Sequence, residues 1–204
     1  MLKFFRLFVI ILCLLSLNSF GFCNQDSLRN ISFTQTIESK KDGKLFEAKT
    51  WMKNKNIRME YNSQGQELVS IIKSSNVYNY SPAAKTGAIL DVEKNKDTMQ
   101  IGPEILQSEK EFLEFLNLME AKKIGQEIVD NKDCDIYEYM DLDKKITHRI
   151  WVWHEFNFPV KLTISAYSDI LTISYKNIKF HVNIEDNLFE VPEDIKMQPY
   201  TKPE

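Results

Sequence analysis

Residues 56–65 read Asn56-Ile57-Arg58-Met59-Glu60-Tyr61-Asn62-Ser63-Gln64-Gly65. Ile57, Met59 and Tyr61 alternate with Arg58 and Glu60, the period of two by which a strand buries one face and wets the other. The run then breaks at Asn62-Ser63-Gln64-Gly65, residues that supply turn conformations. The same grammar extends outward from Ile31 to Val92. Ile31, Phe33 and Ile37 share a face, and polar breaks recur at Lys40-Lys41-Asp42-Gly43, Lys73-Ser74-Ser75-Asn76 and Ser81-Pro82. Short alternating runs with turns between them predict an antiparallel meander.

The period changes once. Ser108-Glu109-Lys110-Glu111 is a capping box, and Phe112, Phe115, Leu116 and Met119 recur at helical spacing. Lys122-Lys123 suits the negative end of a helix dipole, so the spacing predicts one amphipathic helix over Glu109 to Lys122, preceded by a turn at Pro103. Strands resume with Gln126 to Asp130, a turn at Asn131-Lys132-Asp133, Cys134 to Met140, and Ile146 to His154. After a break at Pro159 come Val160 to Ala166, Ile170 to Lys176 and Ile178 to Val182, with Val160, Leu162, Ile164 and Ala166 facing one way. About ten strands joined by short turns, plus one helix, predict an α+β chain built on a single large antiparallel sheet with one or a few covering helices.

The chain begins with Lys3 and Arg6, an apolar run from Leu7 to Leu15, and small residues ending at Gly21. That is the order of an export signal, and the run is too short for a membrane span. Residues 1–21 are therefore expected to be a signal peptide and residues 22–204 one domain, placed in the periplasm. Cys13 leaves with the signal, so Cys23 and Cys134 remain of the three cysteines. Cys23 stands where an acylated lipoprotein cysteine would stand, which would anchor the chain to a membrane, but Phe22 before it is not the small residue such a site wants. Cys23 could instead pair with Cys134, and Cys134 alone reads as a small buried apolar residue.

The formal net charge of -3 becomes more acidic once Lys3 and Arg6 are removed, which argues against a nucleic-acid surface. His148, His154 and His181 lack metal-ligand spacing. Neither a nucleophile elbow nor a paired-carboxylate signature is present, and Asp141 and Asp143 beside Lys144-Lys145 read as a charged hairpin tip. The expectation is a binding protein, not an enzyme, with no cofactor and no metal.

Several short motifs, in order, resemble the LolA-like family of periplasmic outer-membrane lipoprotein carriers and related exported proteins. They are Ile31-Ser32-Phe33-Thr34-Gln35, Trp51-Met52-Lys53 leading to Asn56-Ile57-Arg58-Met59-Glu60, and Val77-Tyr78-Asn79-Tyr80-Ser81-Pro82. Further on come Gly125-x-Glu127, Cys134-Asp135-Ile136-Tyr137, Trp151-Val152, Phe158-Pro159-Val160-Lys161, Asn177-Ile178-Lys179 and Leu188-Phe189-Glu190-Val191-Pro192. The resemblance implies a strongly curved half barrel whose concave apolar face is covered by helices and takes acyl chains. Two departures stand out: only Asn24 to Asn30 occupy the place of an N-terminal helix, and Asn54 and Arg58 occupy places where the carriers have Arg and Phe.

Together these readings predict a carrier of lipid acyl chains or lipoproteins, with a sensor or adaptor acting on an envelope membrane partner as the alternative. The candidate pocket residues are Phe112, Phe115, Leu116 and Met119 of the helix, with Trp51, Ile57 and Met59 of the sheet. The helix is the element expected to move, since lifting one amphipathic helix costs less than breaking a strand pair.

Overall fold

The computed structural model describes residues 30–91, 109–141, 145–166 and 169–200. Residues 1–21, Cys23, Pro103, Ser108, Asp143 and Lys144, on which parts of the sequence reading fall, lie outside them. Two meanders make the fold. The first runs β1 (Ile31–Ser39), β2 (Gly43–Lys53), β3 (Asn56–Ser63), β4 (Gln66–Lys73), β5 (Asn76–Ser81) and β6 (Thr86–Asp91). After helix α1 (Glu109–Leu118), the second runs β7 (Lys122–Val129), β8 (Lys132–Asp141), β9 (Ile146–Trp153), β10 (Phe158–Ala166) and β11 (Asp169–Phe180). β1 pairs antiparallel with β11, joining the two meanders into one twelve-stranded sheet of order β12-β6-β5-β4-β3-β2-β1-β11-β10-β9-β8-β7. Only β12 (Lys196–Pro199) runs parallel to its neighbour, β6. The sheet is open, with β12 and β7 as its edges, as a half barrel requires.

Local chemistry explains the tight hairpins. Asn54-Lys55, Gln64-Gly65 and Asp130-Asn131 each place two consecutive residues at positive φ. Those are mirror-image two-residue turns, whose twist matches that of the flanking strands. The third turn therefore falls at Asp130-Asn131, one residue earlier than the sequence suggested.

Four further expectations are corrected. The helix stops at Leu118, and Lys122 and Lys123 open β7 instead of closing the helix. Glu120 adopts φ 51°, Ala121 N–H bonds the Leu116 carbonyl and Glu120 N–H bonds the Asn117 carbonyl. This is a Schellman termination formed without glycine, with Ala121 packed on the same cluster as Leu116. Pro159 is not a break but lies inside β10 at a bulge, where Pro159 pairs with Val152 and Lys161 with Trp151. The extra residue, Val160, is thereby turned to the Trp151 side, away from Leu162 and Ile164. Last, β11 continues through Asn177 at φ 53°, so the two expected strands at Ile170 and Ile178 are one.

Candidate functional site

Pairing register assigns the side chains to two faces. On one face Ile31, Phe33, Ile37, Ala48, Met52, Ile57, Ile72 and Val77 form a buried cluster against which Met59 and Tyr61 pack. Farther along the same face, Phe112, Phe115 and Leu116 of α1 bury against Ile150 and Val152, with Met119, Tyr137 and Tyr139 around them. Leu162 packs on both clusters and joins them. This is the α1 face.

On the opposite face, residues 182–197 cross the first meander as a strap. Ile184, Phe189 and Ile195 bury against Val69, Ile71 and Tyr80, with Trp51 and Tyr78 beside them. Basic residues of the first meander hold the strap along its length. Lys53 pairs with Asp186 at 2.9 Å and donates to the Ile184 carbonyl at 2.6 Å, Lys73 pairs with Glu190, and Lys85 pairs with Asp194 at 3.0 Å. Cys134, Trp151 and Val160 form a second cluster on this side. Trp151 Nε1 donates to Glu127 at 2.6 Å, and Lys161 Nζ sits 4.3 Å from the Trp151 ring centroid.

The candidate pocket residues thus fall in three places. Phe112, Phe115, Leu116 and Met119 lie together under α1; Ile57 and Met59 share that face but belong to the neighbouring cluster; Trp51 is on the strap face. Trp51 parts from them because it pairs with Arg58 while Met52 pairs with Ile57, and one step along a strand reverses the face. Of the histidines, His148 stacks on Tyr139 with ring centroids 4.4 Å apart, and His154 lies 3.6 Å from Asp135. Burial pushes the Asp135 carboxyl up, but the Lys123 ammonium at 2.8 Å and the Gln126 amide at 2.9 Å outweigh it, leaving the group below the usual carboxylate range. Cys134 is a buried free thiol, pushed up by that burial.

A set of polar residues on the α1 face was not singled out from sequence. Gln35, Thr50 and Ser70 are all buried, and Asn79 continues their face. Ser70 Oγ donates to Asn79 Oδ1, and Tyr61 OH lies 3.3 Å from Ser70 Oγ. Desolvation pushes the Tyr61 hydroxyl above its ordinary value. Tyr61 and Asn79 line a cleft of about 520 Å³ between β3 and β6; a second, of about 500 Å³, lies over Gln126, Cys134, Asp135 and His154. Neither includes α1 in its wall. The signal that could have revealed the polar set is phase: Thr50 occupies the same alternation as Ala48 and Met52, where an apolar residue is expected.

No family model and no curated protein matches the chain. Solved structures match its shape. An uncharacterized conserved protein from Thermus thermophilus is 10% identical over 83% of this chain and 90% of that chain, with a TM-score of 0.56. The Pseudomonas aeruginosa MucA/MucB complex is 8% identical over 82% of this chain and 57% of the matched chain, with a TM-score of 0.52. A further structure of MucB is 9% identical over 84% and 60%, with a TM-score of 0.52. This chain therefore spans less than two thirds of the MucB chains it matches. At these identities the likeness is one of fold, and among the described residues no helix is long and apolar enough to cross a membrane. The chain has an open twelve-stranded antiparallel sheet with one described helix, in the shape that MucB and the Thermus protein share.

Proposed function

We propose that this chain is a periplasmic carrier of lipid acyl chains or lipoproteins, not an enzyme, and that it takes acyl chains on the α1 face with α1 as the movable cover. The observation that carries this reading is the continuity of that face. The apolar residues under α1 run through Leu162 into the cluster holding Ile57 and Met59. An acyl chain lying along such a surface gains roughly 0.8 kcal/mol for each buried CH₂. α1 is ten residues long, below the length at which an isolated helix is stable, so its order depends on what it packs against.

The test is saturable uptake of a fluorescent fatty acid or phospholipid by the delipidated protein, measured beside thermal unfolding for the wild type and Phe115→Ala. A carrier binds saturably, and Phe115→Ala alters uptake with a stability loss under about 2 kcal/mol. No uptake by the wild type, together with a loss of about 3–5 kcal/mol in the variant, leaves a filled core in place of a binding surface.

A second reading, an adaptor that regulates an envelope membrane partner, is favoured by one comparison: a structure of this shape is known in the MucA/MucB complex. An adaptor docks on its partner whether or not lipid is transferred, so co-purification of a membrane protein with the intact chain separates it from a freely diffusing carrier.

A further inference from the structure

Thr50 Oγ1 is a buried side-chain oxygen without a hydrogen-bond partner, and the residue is 2% exposed. Such a hydroxyl lowers stability, and valine would fill the same space without it. Thr50 lies on the α1 face with Phe33 and Met59 directly across from it on the two neighbouring strands. The same cross-strand row continues from Met59 to Ser70 and from Ser70 to Asn79. Because the one Ser70 hydroxyl proton is given to Asn79 Oδ1, Tyr61 OH is the donor in its contact with Ser70. The Asn79 amide N–H₂ and the Tyr61 oxygen lone pairs then remain to serve a ligand.

Both residues line the cleft of about 520 Å³, whose wall also includes Leu68, Ala88 and Gln198 and, among the described residues, no charged side chain. From Thr50 to Asn79 the row crosses three strand spacings, about 14 Å. Bare hydrocarbon has no use for donors along this row. An acyl lipid has ester carbonyls near its chains and a polar headgroup beyond them.

We propose that this row is a headgroup site for an acyl lipid whose headgroup is uncharged and hydroxylated. The headgroup occupies the cleft against Asn79 and Tyr61, and an ester carbonyl reaches the Thr50 hydroxyl as the flexible Met59 side chain gives way. The proposal rests on the lipid-carrier reading of the same face and adds to it the class of lipid. An anionic headgroup is disfavoured in a cleft whose wall, among the described residues, holds no cation.

The experiment uses diphenylhexatriene, which has no polar group, as a fluorescent occupant of the mature protein. Monogalactosyl diacylglycerol and phosphatidylglycerol of the same acyl chains compete against it. The galactolipid is expected to displace the probe at a concentration about fivefold lower than phosphatidylglycerol. Thr50→Val and Asn79→Ala are each expected to weaken the galactolipid by about fivefold relative to phosphatidylglycerol. Thr50→Val, freed of its unpaired hydroxyl, should also unfold at a higher temperature than the wild type in the absence of lipid. Equal competition by the two lipids in the wild type, or an undiminished galactolipid preference in both variants, overturns the headgroup site and leaves the carrier reading standing. Absence of saturable probe uptake by the wild type overturns the carrier reading and the headgroup site with it.

Discussion

Arg58 Nη1 donates a 3.1 Å hydrogen bond to the backbone carbonyl of Leu188, tying the middle of β3 to the strap that closes the chain. The same guanidinium bonds Glu60 at 2.8 Å and the Tyr80 hydroxyl at 3.2 Å, and its side chain is 14% exposed. The resemblance to lipoprotein carriers implies a Phe at this position. Here Arg58 fastens the face opposite α1.

Arg58→Ala is accordingly expected to lose about 1–2 kcal/mol of stability, because it strands a partly buried carbonyl and a partly buried carboxylate together. Lys85→Ala removes only the exposed pair with Asp194 and should change stability by less than about 0.5 kcal/mol. Urea unfolding of both variants checks the contrast. Equal losses would mean that the strap is not fastened chiefly at Arg58.

The turn after α1 supplies a second test. Glu120 is exposed and held at φ 51°, where a side chain crowds the backbone and glycine does not. Glu120→Gly should stabilise the protein by about 0.5–1 kcal/mol, seen as a higher unfolding midpoint. A lower midpoint would show that the Schellman geometry is not maintained in solution.

Asp169 contributes to the acid limb. Ser39 Oγ donates to it at 2.7 Å, and the backbone N–H groups of Ile170 and Lys41 donate at 2.8 and 3.2 Å, so its carboxyl is held below the ordinary value. A carboxyl with a lowered folded-state pKa contributes stability that is complete above its unfolded-state value and is lost as pH falls through the folded-state value. Asp169→Asn should therefore narrow its stability deficit against the wild type as pH falls below the ordinary carboxylate range, read from unfolding midpoints between pH 7 and pH 2. A deficit that stays constant across that range would contradict the linkage.

Cys134 should react slowly. The residue is 2% exposed, and its thiol donates at 3.3 Å to the Lys132 carbonyl and is pushed up by burial. Thiolate is the reactive form, so a thiol reagent should modify the native protein far more slowly than the protein in denaturant. Cys134→Ala should cost about 1–2 kcal/mol. Rapid native labelling would place this residue outside the Trp151 cluster.

Much of the architecture is written locally. Alternation at Ile57, Met59 and Tyr61 and turn residues such as Gln64-Gly65 are properties of adjacent residues, so the meanders and the α+β class are readable from the chain alone. The start of α1 at Glu109 is readable for the same reason. Its end is not, because Glu120 takes a conformation whose usual marker is glycine, and the contact of Ala121 with the α1 cluster compensates. Nor does the sequence show that β1 closes on β11, since that pairing joins Ile31 to Phe180 across most of the chain and is selected by burial of both strands at once. The bulge that reverses Val160 is likewise invisible to a parity count, as is the division of Trp51 from Ile57 between faces, which depends on strand register. Thr50 is the sharpest instance: in the chain it is one polar residue in an alternating strand, and only packing from Phe33 on one side and Met59 on the other turns its hydroxyl into a buried group without a partner.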